Sequence, residues 1–278
     1  MLAAYDLSVR AGTATLLAGV SAAVVPGQVL AVIGPNGAGK STLLNALAGD
    51  VAPAGGQIVL EGRPLATWPA ADVARLRAVL LQHSGLEFAF TALEVVLLGR
   101  APHAGRVSRA RDLAIAAAAL TAADAAALRA RAYPTLSGGE RQRVQLARAL
   151  AQIWDATPAA PTYLLLDEPT AALDLAHQHR ALQRARDWAR RGTGVMVVLH
   201  DLNLAAAYAD RVLVLSRGRV AALGAPFEVL QPLLIEDVFG LAVTLASHPD
   251  ASAPFIVARA ARPLRPTGSG RANRTPPC

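Results

Sequence analysis

Nine consecutive residues, Gly34-Pro35-Asn36-Gly37-Ala38-Gly39-Lys40-Ser41-Thr42, constrain this 278-residue chain more than anything else in it. They fit the pattern G-x4-G-K-[ST]. An apolar run, Val29–Ile33, precedes them and reads as a buried strand, and residues 41–49 (STLLNALAG) read as a helix. Strand, glycine loop and helix in that order are the context in which the pattern cradles phosphate. Glycines let successive backbone N–H groups turn inward, and the helix start adds its partial positive charge. Lys40 is then expected to reach the β- and γ-phosphates and Ser41 to ligate Mg²⁺. Lys40 is the only lysine among 27 basic residues. The guanidinium fork of arginine does not replace a compact point charge at such a place.

A second feature is Tyr163-Leu-Leu-Leu-Asp167-Glu168-Pro169, a short apolar strand ending in two carboxylates. Ligands bind where strands of an open α/β sheet end. Asp167 is expected to hold Mg²⁺, and Glu168 to polarise an attacking water as general base. Between the two features lies Leu136-Ser137-Gly138-Gly139-Glu140. Ser137 and Glu140 make a capping box for the helical run that follows. A cap does not explain two glycines in a first turn, where they are poor helix formers. A serine and two glycines at a helix start make a second anion site. One nucleotide does not need two such sites from one chain; two chains packed head to tail would supply both.

Charge narrows the partners. The net charge is +7, but residues 259–278 carry five Arg and no acid, which leaves 22 basic and 20 acidic residues in the body. A nucleic-acid-binding domain should carry its basic excess on the folded part, so no nucleic-acid partner is expected. Residues 259–278, rich in Arg, Pro and Gly, read as a disordered tail. Residues 11–39 are uncharged, long enough to imitate a membrane span. Gly19, Pro26-Gly27 and Gly34-Pro35-Asn36-Gly37 break the run into strand, turn, strand and loop. The start MLAAYDLSVR has no basic segment followed by an apolar one, and the single cysteine is Cys278. A cytosolic chain is the expectation.

Taken together these motifs resemble the ATP-binding subunit of ABC transporters: a phosphate loop, then LSGGE, then an Asp-Glu strand end, over about residues 2–245. The resemblance implies ATP and Mg²⁺ as cofactors. It identifies Gln82 with the glutamine that senses the γ-phosphate side, contributes to the metal site and faces the membrane partner. Asp174 (TAALD) matches the D-loop aspartate, and His200, after VMVVLH, the switch histidine that contacts the γ-phosphate. Leu136 to Glu140 would then act on the ATP of a second copy. Implied partners are that copy, two transmembrane permease subunits and, indirectly, a periplasmic solute-binding protein. The chain would sit peripherally on the cytoplasmic face of the inner membrane, through the permease. The chain departs from the family at Ala11, where an aromatic residue usually stacks on adenine; Tyr5 stands six residues too early.

LEVVLLGRAPH (93–103), IWDATPAAPT (153–162) and HDLNLAAAYADRVLVLSRGRV (200–220) resemble importers for haem, ferric siderophores and cobalamin. With LAHQHRAL (175–182), the wording is nearest to haemin-import ATPases. The expected fold is α/β: a P-loop NTPase core of ABC type, with an antiparallel β edge and an inserted helical subdomain. Residues 1–258 would form one domain, with the core in 1–82 and 156–258 and the helical part in 83–155. Residues 212–258 are expected to begin with a hairpin turning at Arg217-Gly218 and to end in short helical pieces. A soluble ABC protein of DNA repair or translation is the competing class. Repair versions carry long coiled coils between the phosphate loop and LSGGE, and here Lys40 and Ser137 are 97 residues apart; translation versions usually carry two cassettes.

Overall fold

The computed structural model describes residues 1–81, 89–155, 160–247 and 253–259. Its strands are β1 (Leu2–Ala11), β2 (Ala14–Val24), β3 (Val29–Ile33), β4 (Gly55–Leu60), β5 (Arg63–Pro64) and β6 (Arg77–Leu80), then β7 (Tyr163–Asp167), β8 (Gly194–Val198), β9 (Arg211–Ser216), β10 (Arg219–Gly224), β11 (Val243–Ser247) and β12 (Pro254–Ala258). The helices are α1 (Lys40–Ala48), α2 (Ala70–Leu76), α3 (Ala92–Leu98), α4 (Arg109–Ala122) and α5 (Gly138–Gln152), then α6 (Leu175–Arg190), α7 (Leu202–Tyr208), α8 (Pro226–Val229) and α9 (Pro232–Phe239).

A six-stranded sheet runs in the order β10-β9-β3-β8-β7-β6. Strands β9, β3, β8, β7 and β6 are parallel, and only β10 runs against its neighbour. Every residue of β3, β7 and β8 is buried. That is why these segments read as unbroken apolar runs, as strands covered on both faces do. Alternate residues serve two cores, as the period of two requires. Ala31, Ile33, Leu164, Leu166, Val195 and Val197 face the helical side with α3 to α7. Leu30, Val32, Leu165, Met196 and Val198 face α1 and the N-terminal strands. Those strands form a separate antiparallel sheet, β2-β1-β4-β5.

The parallel order brings three strand ends to one edge: Val32 pairs with Val198, and Asp167 also pairs with Val198. The phosphate loop follows β3, Glu168 follows β7 and His200 follows β8 by two residues.

Two elements differ from the composition of their segments. The alanine-rich stretch 113–132 does not continue as one helix: α4 stops at Ala122, and Asp124 turns left-handed at φ 52°. There the N–H of Ala125 donates to the Leu120 carbonyl and that of Asp124 to Thr121. This Schellman closure uses an aspartate, which tolerates the αL region better than most residues. The second difference is at the C-terminal end, where α8 and α9 are followed by an antiparallel hairpin, β11-β12. An isolated two-stranded hairpin is marginal in water, so its five-residue strands owe their existence to what they pack on. Among the described residues no helix is long and apolar enough to cross a membrane.

Candidate nucleotide site

The loop from Gly34 to Ser41 closes on itself before any ligand is considered. Lys40 Nζ donates to the carbonyls of Gly34 (2.8 Å) and Pro35 (3.0 Å). Its ammonium is buried. Burial pulls the Lys40 pKa below the ordinary lysine range, opposed by the nearby carboxylates Glu168 and Asp167. Helix α1 starts at Lys40 with the left-handed Gly39 as its cap, no side chain capping it and no acid in its first turn. The first N–H groups of a helix lack intrahelical partners, and here, with no side-chain cap, they suit an anion. By contrast α5, α6 and α7 are capped by Ser137, Asp174 and Asp201.

Two glycines of the loop are fixed by space as well as by backbone. A Cβ on Gly34 would lie 2.2 Å from the Leu215 carbonyl oxygen. A Cβ on Gly39, at φ 100°, would lie 2.6 Å from Leu17 Cδ2. Because backbone rather than a flexible side chain blocks Gly34, Gly34→Ala should displace the loop, costing about 1–3 kcal/mol of stability as overpacking does. Nucleotide affinity should fall with it. Thermal melting together with a fluorescent-nucleotide titration checks this; unchanged affinity would mean the loop tolerates the shift.

The loop opens onto a cleft of about 380 Å³ lined by Leu16, Asn36, Gly37, Ala38, Gly39, Lys40, Ser41, Thr42 and Glu168. That size is within the range of small-molecule sites. Ser41 Oγ donates to Asp167 Oδ1 across 3.3 Å, joining residues 126 apart in sequence. Asp167 is buried. Burial raises its pKa, a push that the Ser41 hydrogen bond opposes. Glu168 adopts φ 47°, an unfavourable backbone for a residue with a side chain, and such strain gathers at functional sites. There its Oε1 accepts from His200 Nε2 at 2.5 Å. A smaller cleft of about 200 Å³ adjoins Glu168, Thr170, Ala171, Gln178, His200 and Asp201.

The structure therefore brings the loop, Asp167, Glu168 and His200 together. It leaves Leu136, Ser137, Gly138, Gly139, Glu140 and Asp174 outside the walls of that cleft. Ser137 Oγ accepts from the Glu140 N–H (3.3 Å), and Glu140 Oε2 accepts from the Ser137 N–H (2.8 Å). Ser137 and Gly138 are exposed. A Cβ on Gly139 would come 3.1 Å from the Ala172 carbonyl oxygen, so the start of α5 packs on the segment leading to Asp174. Asp174 accepts from the His177 N–H (2.8 Å) and from His177 Nδ1 (2.7 Å). Gln82 lies outside the described residues.

Leu16 on β2 is a cleft residue that sequence reasoning missed. Strand β2 is held there by the Arg217-Gly218 turn: Gly218 N–H donates to Ala38 O (3.1 Å) and Ala18 N–H to Gly218 O (2.9 Å). No local signal announces a contact between segments 200 residues apart. Ala11 is exposed at the end of β1, paired with Ala14, and is not among the residues lining the cleft.

Comparison with known proteins gives the family. A family model described as ABC transporter matches residues 17–171. A hemin import ATP-binding protein, HmuV, of Gloeobacter violaceus is 54% identical over 257 residues, covering 92% of this chain and 94% of its own. The protein of the same name from Pseudomonas aeruginosa is 53% identical over 259 residues, 93% of this chain and all of its own. Among solved structures, a transporter assigned to the metal-chelate ABC type and caught facing inward superposes with a TM-score of 0.76. It is 28% identical and covers 93% of this chain and 97% of its own. An ATP-binding cassette solved as a dimer after hydrolysis, with ADP and phosphate, gives a TM-score of 0.70 at 26% identity, over 81% of this chain and 98% of its own. With one family model covering more than half of the chain and such relatives along nearly all of it, this protein belongs to the ABC transporter family, as an ATP-binding cassette.

Proposed function

We propose that this chain drives hemin import. It binds and hydrolyses ATP as a homodimer docked on two membrane-spanning permease subunits, which a periplasmic binding protein supplies, at the cytoplasmic face of the inner membrane. What carries this reading is the 54% identity, over 92% of the chain, to a hemin import ATP-binding protein. The cargo rests on that likeness, because nothing in a nucleotide cleft touches the solute.

In this reading Gly34 to Thr42 wrap the phosphates and Lys40 leaves its own carbonyls for the γ-phosphate. Ser41 Oγ and the Asp167 carboxylate are hard oxygen donors at the cleft edge, the kind that magnesium takes; Gln82 would complete the set. When bound, the ion neutralises charge developing on the phosphates. Glu168 takes a proton from the attacking water. His200, which already donates to Glu168, orients that carboxylate and meets the γ-phosphate. Ser137 supports a role across the dimer, since a hydroxyl that accepts from Glu140 N–H still has its own hydrogen to donate. Asp174 is read as the D-loop residue, two positions after the Ala172 carbonyl on which Gly139 packs. Residues 1–82 and 156–258 are read as the nucleotide core, 83–155 as the helical part, and 259–278 as a tail. Of the tail, only Arg259 is described; its N–H donates to the Ala242 carbonyl.

A strain lacking this gene should fail to grow on hemin as its sole iron source. It should still use ferric siderophores and take up cobalamin. The intact gene should restore growth, and a Lys40→Ala copy should not. Loss of growth on a ferric siderophore instead would move the cargo to the metal-chelate side that the 0.76 structural match also allows.

A further inference from the structure

Helix α7 begins two residues after His200 and is only seven residues long. So short a helix has little stability of its own, and its pose is set by its neighbours. At its N-terminus Asp201 Oδ1 accepts from the N–H groups of Asn203 (2.7 Å) and Leu204 (3.0 Å). Leu204, Ala205 and Ala206 are buried in the main core, with Val243 and Ile256 of the C-terminal hairpin in the same cluster. Polar ties complete the packing of α7: at its far end Arg186 donates to the Ala207 carbonyl (3.3 Å) and the Tyr208 hydroxyl meets His179 Nδ1 (2.9 Å), while at its start the partner is the hairpin. Asn203 Nδ2 donates to the Ile256 carbonyl at 3.1 Å, and Asn203 Oδ1 accepts from the Ile256 N–H at 2.7 Å. The carboxamide thus does for β12 what a neighbouring strand would do. Among side chains only Asn and Gln present a donor and an acceptor side by side in this way.

We propose that Asn203 is a positioning residue for His200. Through its two hydrogen bonds to Ile256, the C-terminal hairpin sets the pose of the helix that follows His200 and so the approach of the imidazole to Glu168. The hairpin lies 53 residues further along the chain and outside the nucleotide cleft, yet it is part of what holds the hydrolytic geometry. The inference rests on the reading of His200 as the residue that meets the γ-phosphate.

The test compares Asn203→Ala, Asn203→Asp, Asn203→Ser and His200→Ala with the natural full chain. The measurements are steady-state ATP hydrolysis, thermal melting and histidine-ring NMR, with the His200 resonance assigned by its loss in His200→Ala. Small misplacements of catalytic groups can cost up to about a hundredfold in rate, so Asn203→Ala should lower kcat about tenfold. KM for ATP should stay within about twofold, because the phosphate contacts are untouched. The His200 ring resonance should shift or broaden while that of His103, which bonds the Gln152 carbonyl away from α7, stays in place. Asn203→Asp, whose carboxylate faces the Ile256 carbonyl, should be at least as impaired. Asn203→Ser, able to satisfy one of the two backbone groups, should fall between and remains informative if the alanine variant does not fold. An unmoved His200 resonance with unchanged kcat in a folded variant overturns the inference. A rate loss that only tracks melting temperature, with His200 unmoved, overturns it as well. If His200→Ala itself hydrolyses ATP normally, the role assigned to His200 is wrong and the inference falls with it; if only that variant is inactive, the role stands and Asn203 has no part in it.

Discussion

Glu168→Gln should bind Mg-ATP almost as the natural protein does and hydrolyse it about 10²- to 10⁴-fold more slowly, the usual worth of a general base. The geometry favours a clean result. Glutamine keeps an oxygen where Glu168 Oε1 accepts from His200 Nε2, so the neighbour has no reason to move. Lys40, which holds the loop carbonyls, and Ser41, which holds Asp167, are not altered. What is lost is the capacity to take a proton from water. Binding without hydrolysis should trap the closed assembly. Gel filtration in Mg-ATP should then show a dimer for Glu168→Gln and mostly monomer for the natural chain. Turnover within about threefold of the natural rate would remove Glu168 from the base role.

The second large effect concerns a residue that lines no part of the cleft in its own chain. Ser137→Arg should abolish hydrolysis while the protein still folds. Ser137 is exposed, so the longer side chain meets no core, and loss of its capping hydrogen bond costs about 1 kcal/mol. The damage would fall on the partner, where arginine would occupy the space of the γ-phosphate. Lys40→Ala should be inactive for the opposite reason, the loss of the phosphate charge in its own loop. Mixed in equal amounts and allowed to exchange, the two inactive proteins should recover activity. Half of the dimers are then mixed, and each has one site with an intact loop and an intact Ser137. That gives about one quarter of the natural activity if the sites fire independently. Two folded proteins that exchange subunits and recover nothing would exclude a site shared between chains.

Much of this site is written in short contiguous stretches, and those stretches were legible. A phosphate loop needs its glycines, lysine and serine at fixed spacing because they act within one turn of chain. The capping box of Ser137 and Glu140 is equally local, and both its hydrogen bonds are present. The unbroken apolar runs of β3, β7 and β8 announced strands covered on both faces. By themselves the residues gave two carboxylates at a strand end, read with the loop as a magnesium ligand and a base; His200, at another strand end, was joined to them only through the family resemblance.

What the tertiary structure alone decided is which distant atoms meet. Parallel strands place their ends along one edge whatever the chain length between them, so Ser41 reaches Asp167 across 126 residues and His200 reaches Glu168. Leu16 enters the cleft only because Gly218, with no side chain, lets β2 come close; a Cβ there would lie 2.6 Å from the Leu16 carbonyl oxygen. The hairpin β11-β12 has too short a pattern to declare itself, and it stands because Val243 and Ile256 find a core and Asn203 finds Ile256. Chemistry that acts within a few bonds is fixed by residue type and spacing. Contacts between segments far apart in sequence are fixed by topology and packing, which no window of sequence contains.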